Sequence, residues 1–222
     1  MRQDLSDGPR PGSLRLGVIL AGGQSRRFGS PKALAMIGGV TLVERVARPL
    51  MQAGARPVLI TGPHLPDLSH LLPCRSDLRP GLGPLSGLHT ALVWARELGL
   101  SGTLCVACDM PFLSAGLLRR IAELGEASHD TVIVPESGGP RGIEPLCAWY
   151  PASAARVVLR QLESEVRTMA ALLAQIRFQV LPLAEVAAFG DPARLFYNVN
   201  TVEDRDRFGP AMLDAEEGNG RG

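Results

Sequence analysis

Short apolar runs alternate along the chain with longer stretches in which apolar residues recur at helical spacing. Residues 14–21 (LRLGVILA) form the first run, which ends at Gly22 and Gly23 and is typical of a buried strand that enters a turn. In residues 41–53 the apolar positions follow the period of an amphipathic helix that ends at Gly54. Strands are predicted at residues 14–21, 57–61, 74–76, 103–108, 130–135 and 178–183, with a further apolar run at 146–150. Helices are predicted at residues 41–53, 84–98, 114–124, 153–162, 168–176 and 201–208.

This alternation of strands and helices predicts an α/β fold. The strands are continuously apolar, which is typical of a mainly parallel sheet that helices cover on both faces. We therefore expect a three-layer αβα arrangement in a single domain over residues 14–209. Residues 1–13 and 210–222 are low in complexity and are expected to be flexible tails. Ligands of such sheets bind beyond the carboxyl ends of the strands, so the residues directly after each strand are the candidates for chemistry.

Composition and charge exclude several classes of protein. The 222 residues carry a formal net charge of +1, which provides no overall field that would favour nucleic acid or an anionic membrane. No apolar run approaches the roughly 18 residues of a membrane-spanning helix. The first 13 residues lack the apolar core of a signal peptide. We expect a cytoplasmic domain of enzyme size that binds neither nucleic acid nor a membrane.

Cys105 and Cys108 form a C-x-x-C pair, a pattern that zinc sites and redox sites share. A zinc site would need two more ligands at suitable spacing, and the sequence contains no second C-x-x-C pair. The pair also lies in the predicted strand 103–108, where residues three apart point to opposite faces. We therefore expect ordinary buried thiols.

The loop after the first strand has the composition of a phosphate-binding site. Gly22 and Gly23 allow close approach of a ligand to the backbone, whose successive amides can form an anion-binding nest. Arg26, Arg27 and Lys32 supply positive charge, and Lys32 is the one lysine among 23 basic residues. The loop matches neither the P-loop nor the dinucleotide-binding G-x-G-x-x-G pattern. A plain turn with solvated basic side chains is the alternative interpretation.

Carboxylates follow two further strands. Asp109 comes directly after the predicted strand 103–108 and is a candidate ligand for Mg²⁺, which is usually held by one or two carboxylates and the substrate phosphates. Asp77 closes the strand 74–76 and is a second candidate for the same cleft. Either aspartate alone would more simply be interpreted as a turn residue. The glycine-rich segment 81–87 precedes a helix whose N-terminus is a third candidate for the nucleotide.

Four segments together resemble one enzyme family. They are the LAGG-x-S-x-R-x-G-x-x-K segment that begins at Leu20, the Gly-Pro-Leu-x-Gly turn, the Cys-Asp-Met-Pro segment around Asp109, and the Asn198-Val-Asn200-Thr segment. In this order they resemble the molybdenum cofactor guanylyltransferase family over nearly the whole chain between its two ends. The resemblance implies a nucleotide-diphospho-sugar transferase-like fold. It also implies transfer of GMP from GTP to molybdenum-bound molybdopterin, with release of pyrophosphate.

The resemblance also implies roles for individual residues. Asp109 would bind Mg²⁺ and, with Lys32 and Arg27, would neutralise charge during catalysis. Asn198 and Asn200 would lie near the pterin acceptor. The residues that would bind GTP are Leu20, Ala21, Gly22, Gly23, Lys32, Asp77, Gly83 and Asp109. As protein partners it suggests a molybdenum-insertion protein and molybdoenzyme chaperones.

This chain departs from the family pattern after the second strand, where many relatives have an asparagine and Thr61 stands here. The departure puts a side-chain contribution to base recognition from this strand in doubt. Two other functions stay open. One is a molybdopterin cytidylyltransferase or a related enzyme with another phosphorylated acceptor. The other is a GTP-binding regulatory module without turnover. Cytidylyl relatives usually have Ala-Ala-Gly where this chain has Ala21-Gly22-Gly23, so guanine is favoured.

Overall fold

The computed structural model describes residues 15–21, 32–62, 68–201 and 203–204. The predicted tails and most of the phosphate loop (residues 22–31) lie outside these ranges. The strands are β1 (Arg15–Leu20), β2 (Met36–Ile37), β3 (Val40–Thr41), β4 (Ala55–Thr61), β5 (Cys74–Ser76), β6 (Gly102–Ala107), β7 (Val132–Pro135), β8 (Cys147–Pro151) and β9 (Phe178–Leu181). The helices are α1 (Leu42–Gln52), α2 (Pro84–Glu97), α3 (Ala115–Ala127), α4 (Ala155–Glu163), α5 (Met169–Leu173), α6 (Leu183–Val186) and α7 (Pro192–Leu195), with short 3₁₀ turns at Lys32–Leu34, Ala152–Ala154 and Ala187–Phe189.

Within the described residues, seven strands form one sheet in the order β5-β4-β1-β6-β8-β7-β9. The strands pair in parallel except that β8 runs antiparallel to both of its neighbours, β6 and β7. The prediction of a mainly parallel sheet is therefore confirmed. The run at 146–150, which the sequence marked only as apolar, is the antiparallel strand β8.

Two separate apolar clusters cover the two faces of the sheet, which confirms the predicted three layers. Helices α1 and α3 pack on one face together with alternate strand residues such as Ile19 and Leu104. Helices α2, α4 and α5 pack on the other face with their neighbours in sequence, such as Val18 and Cys105. Because both faces are covered, all six residues of β6 are buried. This explains why the strands are continuously apolar.

The C-x-x-C pair is buried, as the sequence predicts. Cys105 belongs to the cluster on the α2 side of the sheet and Cys108 to the cluster on the α1 side. Burial raises the pKa of each of the two thiols to about 12, so both are protonated near neutral pH. No group of three or more metal-ligating side chains occurs among the described residues.

The shortest elements were not predicted. The β2–β3 hairpin turns at Gly38 and Gly39, which have φ values of 54° and 77°, as a tight hairpin requires. Each of its strands has two residues, too few to show alternation. Helices α6 and α7 span a single turn each and escape a search for helical periodicity for the same reason. Of the predicted helix 201–208, the structure describes helical geometry at Glu203 and Asp204 alone.

None of the helices in the described part of the chain combines the length and the apolar character needed to cross a membrane.

Candidate active site

The carboxyl ends of β5, β4, β1 and β6 meet at one edge of the sheet, because these four strands are parallel neighbours. Backbone hydrogen bonds extend their pairing beyond the strands themselves. The Ala21 N–H donates to the Ile60 carbonyl at 3.0 Å, and the Cys108 N–H donates to the Leu20 carbonyl at 3.2 Å. The residues that follow β1 and β6, including Asp109, are therefore fixed side by side.

A cleft of about 300 Å³ opens at this edge. It collects residues from distant parts of the sequence, as expected for ligands of parallel sheets. Six of the predicted GTP-binding residues line it: Leu20, Ala21, Lys32, Asp77, Gly83 and Asp109. The other predicted loop residues, Gly22, Gly23, Arg26 and Arg27, lie outside the described residues.

Lys32 and Asp109 form an ion pair in the cleft. The Lys32 Nζ lies 2.7 Å from the Asp109 Oδ2 and 2.7 Å from the Asn200 Oδ1. The lysine side chain is 17% exposed and the aspartate side chain 21% exposed, so water screens their attraction only in part. The other carboxylate oxygen, Asp109 Oδ1, is buried and accepts no hydrogen bond from the described residues. A buried, unpartnered carboxylate oxygen is costly for the protein alone.

Asn200 contacts Lys32 because the segment 198–200 runs beside the end of β6. The Val199 N–H donates to the Asp109 carbonyl at 2.9 Å, and the Val199 side chain is fully buried. The backbone of Asn200 is held in turn by the carboxylate of Asp204, 2.8 Å from its nitrogen. One of the two predicted acceptor residues therefore lies beside Lys32.

Asp77 organises the turn that leads into α2. Its Oδ1 accepts hydrogen bonds from the Ser86 Oγ at 2.6 Å, the Thr90 Oγ1 at 3.1 Å and the Arg79 N–H at 3.0 Å. These contacts fix the first turns of α2 against the end of β5. The described residues provide no hydrogen bond to Oδ2. Asp77 thus has a structural role in addition to its place on the cleft wall.

The N-terminus of α2 borders the cleft. Gly81 and Gly83 adopt left-handed backbone conformations (φ 85° and 77°), and Pro84 occupies the first turn of the helix. Gly87 brings the helix close to β1, since a Cβ at this position would lie 2.9 Å from the Leu20 Cδ2. Free amides at a helix N-terminus favour anionic ligands. After β4, Gly62 lines the cleft, whereas Thr61, which stands where many relatives have an asparagine, does not.

A second groove, of about 420 Å³, lies on the other side of the segment 144–146. Asn198 lines this groove, unlike Asn200, and its Nδ2 donates to the Phe196 carbonyl at 3.2 Å. Leu146 lines the first cleft and Glu144 lines the second, so this segment forms the wall between them. Of the two predicted acceptor residues, Asn198 lines the second groove, whereas Asn200 contacts Lys32, which lines the first cleft.

Glu144 was not singled out from the sequence. Its Oε1 accepts a hydrogen bond from the Leu146 N–H at 3.2 Å. Burial raises the pKa of the Glu144 carboxyl, while the Leu146 N–H and the nearby Arg141 guanidinium act in the opposite direction. The signal available in the sequence was an acidic residue immediately before Pro145 and an apolar run. That signal is too common to indicate a site.

Comparisons with known proteins agree with this geometry. Residues 17–180 match the MobA-like NTP transferase domain. A probable molybdenum cofactor guanylyltransferase of Pelotomaculum thermopropionicum is 36% identical over 188 residues, which cover 85% of this chain and 88% of that protein. The molybdenum cofactor guanylyltransferase of Desulfosudis oleivorans is 32% identical over 192 residues, or 86% and 92% of the two chains.

The fold is also found in a solved structure. The molybdopterin-guanine dinucleotide biosynthesis protein A of Archaeoglobus fulgidus superposes with a TM-score of 0.71 at 25% identity. The match covers 89% of this chain and 98% of that protein. The similarity in fold therefore extends over most of both chains.

Proposed function

This chain belongs to the molybdenum cofactor guanylyltransferase family of MobA-like NTP transferases, and we propose that it transfers GMP from GTP to molybdenum-bound molybdopterin. The observation that carries the proposal is the meeting of Lys32 and Asp109 in one cleft at the carboxyl edge of the sheet. A cation and a carboxylate so placed are suited to a triphosphate and its counterion. The relatives share the name molybdenum cofactor guanylyltransferase, which indicates a guanine nucleotide and the molybdenum cofactor as the two substrates.

Mg²⁺ fits the residues of the cleft. Asp109 would hold it through the buried Oδ1, which has no hydrogen-bond partner among the described residues, and the Asn200 amide offers a second oxygen nearby. Among the described residues that line the cleft, Asp77 is the one other acidic residue. This also fits, since protein-bound Mg²⁺ keeps several waters and takes further ligands from substrate phosphates. When bound, the ion would neutralise charge that develops on the phosphate oxygens.

The reaction joins two phosphates. An oxygen of the acceptor phosphate forms a bond to the α-phosphorus of GTP, the bond from that phosphorus to the bridging oxygen breaks, and pyrophosphate leaves. No general base is required, because a phosphate monoester is already ionised near neutral pH. Lys32 would hold the phosphates of GTP, with Arg27 on the loop side, and catalysis would consist of positioning and charge stabilisation.

Base recognition would involve Leu20 and Ala21 at the end of β1, followed by Gly22 and Gly23 in the loop. We propose that the absence of a β-carbon at Gly22 leaves room for a purine. Asp77 and Gly83 would complete the nucleotide site from the α2 side of the cleft. The acceptor would approach from the side of Asn198 and Asn200.

Pyrophosphate release tests the proposal when it is measured with each of the four nucleoside triphosphates, with and without molybdopterin. We expect release with GTP that depends on molybdopterin and on Mg²⁺. Preference for CTP would identify a cytidylyltransferase, and GTP binding without any release would identify a regulatory module. The Asp109→Asn variant should slow release by about 10²–10³-fold, as loss of a charge-stabilising group typically does.

The control for that variant is Asp130→Asn, which makes the same chemical change at a carboxylate that contacts Ser153 on the surface. It should leave the rate of pyrophosphate release unchanged. A near-normal rate in folded Asp109→Asn protein with Mg²⁺ would mean that Asp109 is only a turn residue.

A further inference from the structure

We propose that Glu144 selects the acceptor by accepting hydrogen bonds from the amino-pyrimidine edge of its pterin ring, in the groove beside the nucleotide cleft. This inference rests on the proposed function for the identity of the acceptor class. It adds a residue and a contact that the family resemblance did not suggest.

The first step is the position of the groove. Its wall, residues 144–146, separates it from the cleft that holds Lys32 and Asp109. A molecule whose phosphate reacts in the cleft can therefore place its other end in the groove without a change in the sheet. Asn198, which lines the groove, stands two residues before Asn200, whose Oδ1 contacts the cleft residue Lys32.

The second step is the charge of the groove. Arg141 and Glu144 both line the groove, so it carries one basic and one acidic side chain. The Glu144 carboxylate would repel the phosphate of the acceptor, so this side chain is suited to a part of the molecule that donates hydrogen bonds. A pterin has such a part: its 2-amino group and its N3–H point in the same direction and match the two oxygens of a carboxylate. Phe196 and Ile143, which also line the groove, offer apolar surface to the ring.

The third step is the hydrogen bonding of Glu144. One carboxylate oxygen, Oε1, already accepts the Leu146 N–H, and the described residues donate no hydrogen bond to Oε2. A carboxylate oxygen accepts more than one hydrogen bond, so both oxygens retain capacity for a ligand. When a ring fills the groove and displaces water, its two N–H groups would replace the hydrogen bonds that the carboxylate loses. A ligand that lacked them would leave the carboxylate unsatisfied.

The test uses two probes that differ at one position: 6-(phosphooxymethyl)pterin and the lumazine with the same substituent. The lumazine has an oxygen in place of the 2-amino group, so it presents an acceptor where the pterin presents a donor. Each is measured by calorimetric titration of the whole protein. We expect the wild-type protein to bind the pterin at least about tenfold more tightly, since sites that hydrogen-bond a ligand reject analogues without the donor.

Glu144→Gln is the informative variant because its amide oxygen can keep the hydrogen bond from Leu146. The amide nitrogen then becomes a donor that faces the ring, so the preference for the pterin should fall to within about twofold or reverse. Glu136→Gln is the matched control. Glu136 accepts the Leu183 N–H at 2.7 Å, belongs to the same loop and does not line the groove, so this variant should keep the wild-type preference.

Equal affinity of the wild-type protein for the two probes would overturn the inference, and so would a Glu144→Gln protein that retains the preference. Failure to bind either probe would also overturn it. None of these results bears on the transfer of GMP, which pyrophosphate release measures separately. If Glu144→Gln loses the probe preference but keeps a normal rate of pyrophosphate release with molybdopterin, the change affects pterin recognition and not the transfer of GMP.

Discussion

The ammonium of Lys32 lies between two oxygen acceptors, the Asp109 carboxylate and the Asn200 amide. Both contacts measure 2.7 Å, so the space between the two oxygens suits the small ammonium group. An arginine in this place would be wider, and its donors would point in fixed directions. Every other position in the chain that carries lysine or arginine carries arginine, so Lys32 is the exception.

We predict that both Lys32→Arg and Lys32→Ala slow pyrophosphate release by at least about tenfold, which corresponds to about 1.4 kcal/mol in the barrier. The guanidinium would keep the charge but displace it from the phosphate oxygens. Initial rates with saturating GTP and molybdopterin provide the measurement. Arg119→Lys is the control, because it exchanges the same two cations on α3, where Arg119 donates to the Gln52 carbonyl. A normal rate in Lys32→Arg would show that any cation suffices.

Single residues differed in how well the sequence identified them. Asp109 could be found because it directly follows a predicted strand, and Lys32 because it is the one lysine of the chain and lies in the glycine-rich loop after the first strand. Asn198 and Asn200 could be found only through the family resemblance. The structure was needed to show that Asn198 lines the second groove and that Asn200 contacts Lys32. Glu144 was not identified from the sequence, because only the structure shows that it lines the second groove.

Among the helices and strands, those with a long regular pattern were predicted, whereas features that depend on packing were not. Long helices such as α2 and buried strands such as β6 were predicted within a few residues, because their periodicity or continuous apolarity extends over several positions. The direction of β8 was not predicted, since an apolar run looks the same in either orientation. Its antiparallel pairing with β6 is what places Trp149 against α3.

The contact between α3 and β8 depends on Gly125. A Cβ at this position would lie 2.1 Å from the Trp149 Cγ, and Trp149 is 2% exposed, with little room to move. We predict that Gly125→Ala lowers the free energy of unfolding by about 1–3 kcal/mol, because the cost of overpacking exceeds the gain in helix propensity. Urea denaturation followed by circular dichroism measures the change.

Gly116→Ala on the same helix is the control for this substitution. It makes the same chemical change near the other end of α3, and the nearest atom to its added Cβ is in the Phe189 ring at 2.9 Å. Phe189 is only partly buried and can move aside, so we expect a smaller loss of stability than in Gly125→Ala. An unchanged or higher stability of Gly125→Ala would show that Trp149 repacks freely.

At the scale of the whole molecule, the three layers followed from the strand–helix alternation, but the strand order did not. The order brings β1 between β4 and β6, so the Leu20 end of β1 and Asp109 after β6 become neighbours although they are far apart in sequence. Sequence pattern indicates which segments are strands; it does not specify which strands pair. The common carboxyl edge was predictable because parallel strands share it in any order.

A ligand that binds across this edge should stabilise the entire domain. One sheet contains seven strands, with β5 at one edge and β9 at the other. The cleft is lined by residues from β1, β4, β6 and the start of α2. We therefore expect that the cleft does not open without unfolding of the sheet. We predict one cooperative thermal transition, as expected of a single domain over residues 14–209.

GTP at about 100 times its Kd, with Mg²⁺, should stabilise the folded protein by about 2.7 kcal/mol. For a domain of roughly 200 residues each kcal/mol raises Tm by about 2–4 °C, so we expect a shift of about 5–11 °C. Differential scanning calorimetry with GTP and Mg²⁺, compared with GTP and EDTA, measures both the shift and its dependence on the metal. EDTA should reduce the shift, because Lys32 alone among the described cleft residues then offsets the repulsion between the Asp109 carboxylate and the phosphates. Two separate transitions of which GTP moves only one would contradict the single domain. An equal shift in EDTA would mean that Lys32 and the loop bind the phosphates without the metal, and that Asp109 contributes nothing to nucleotide affinity.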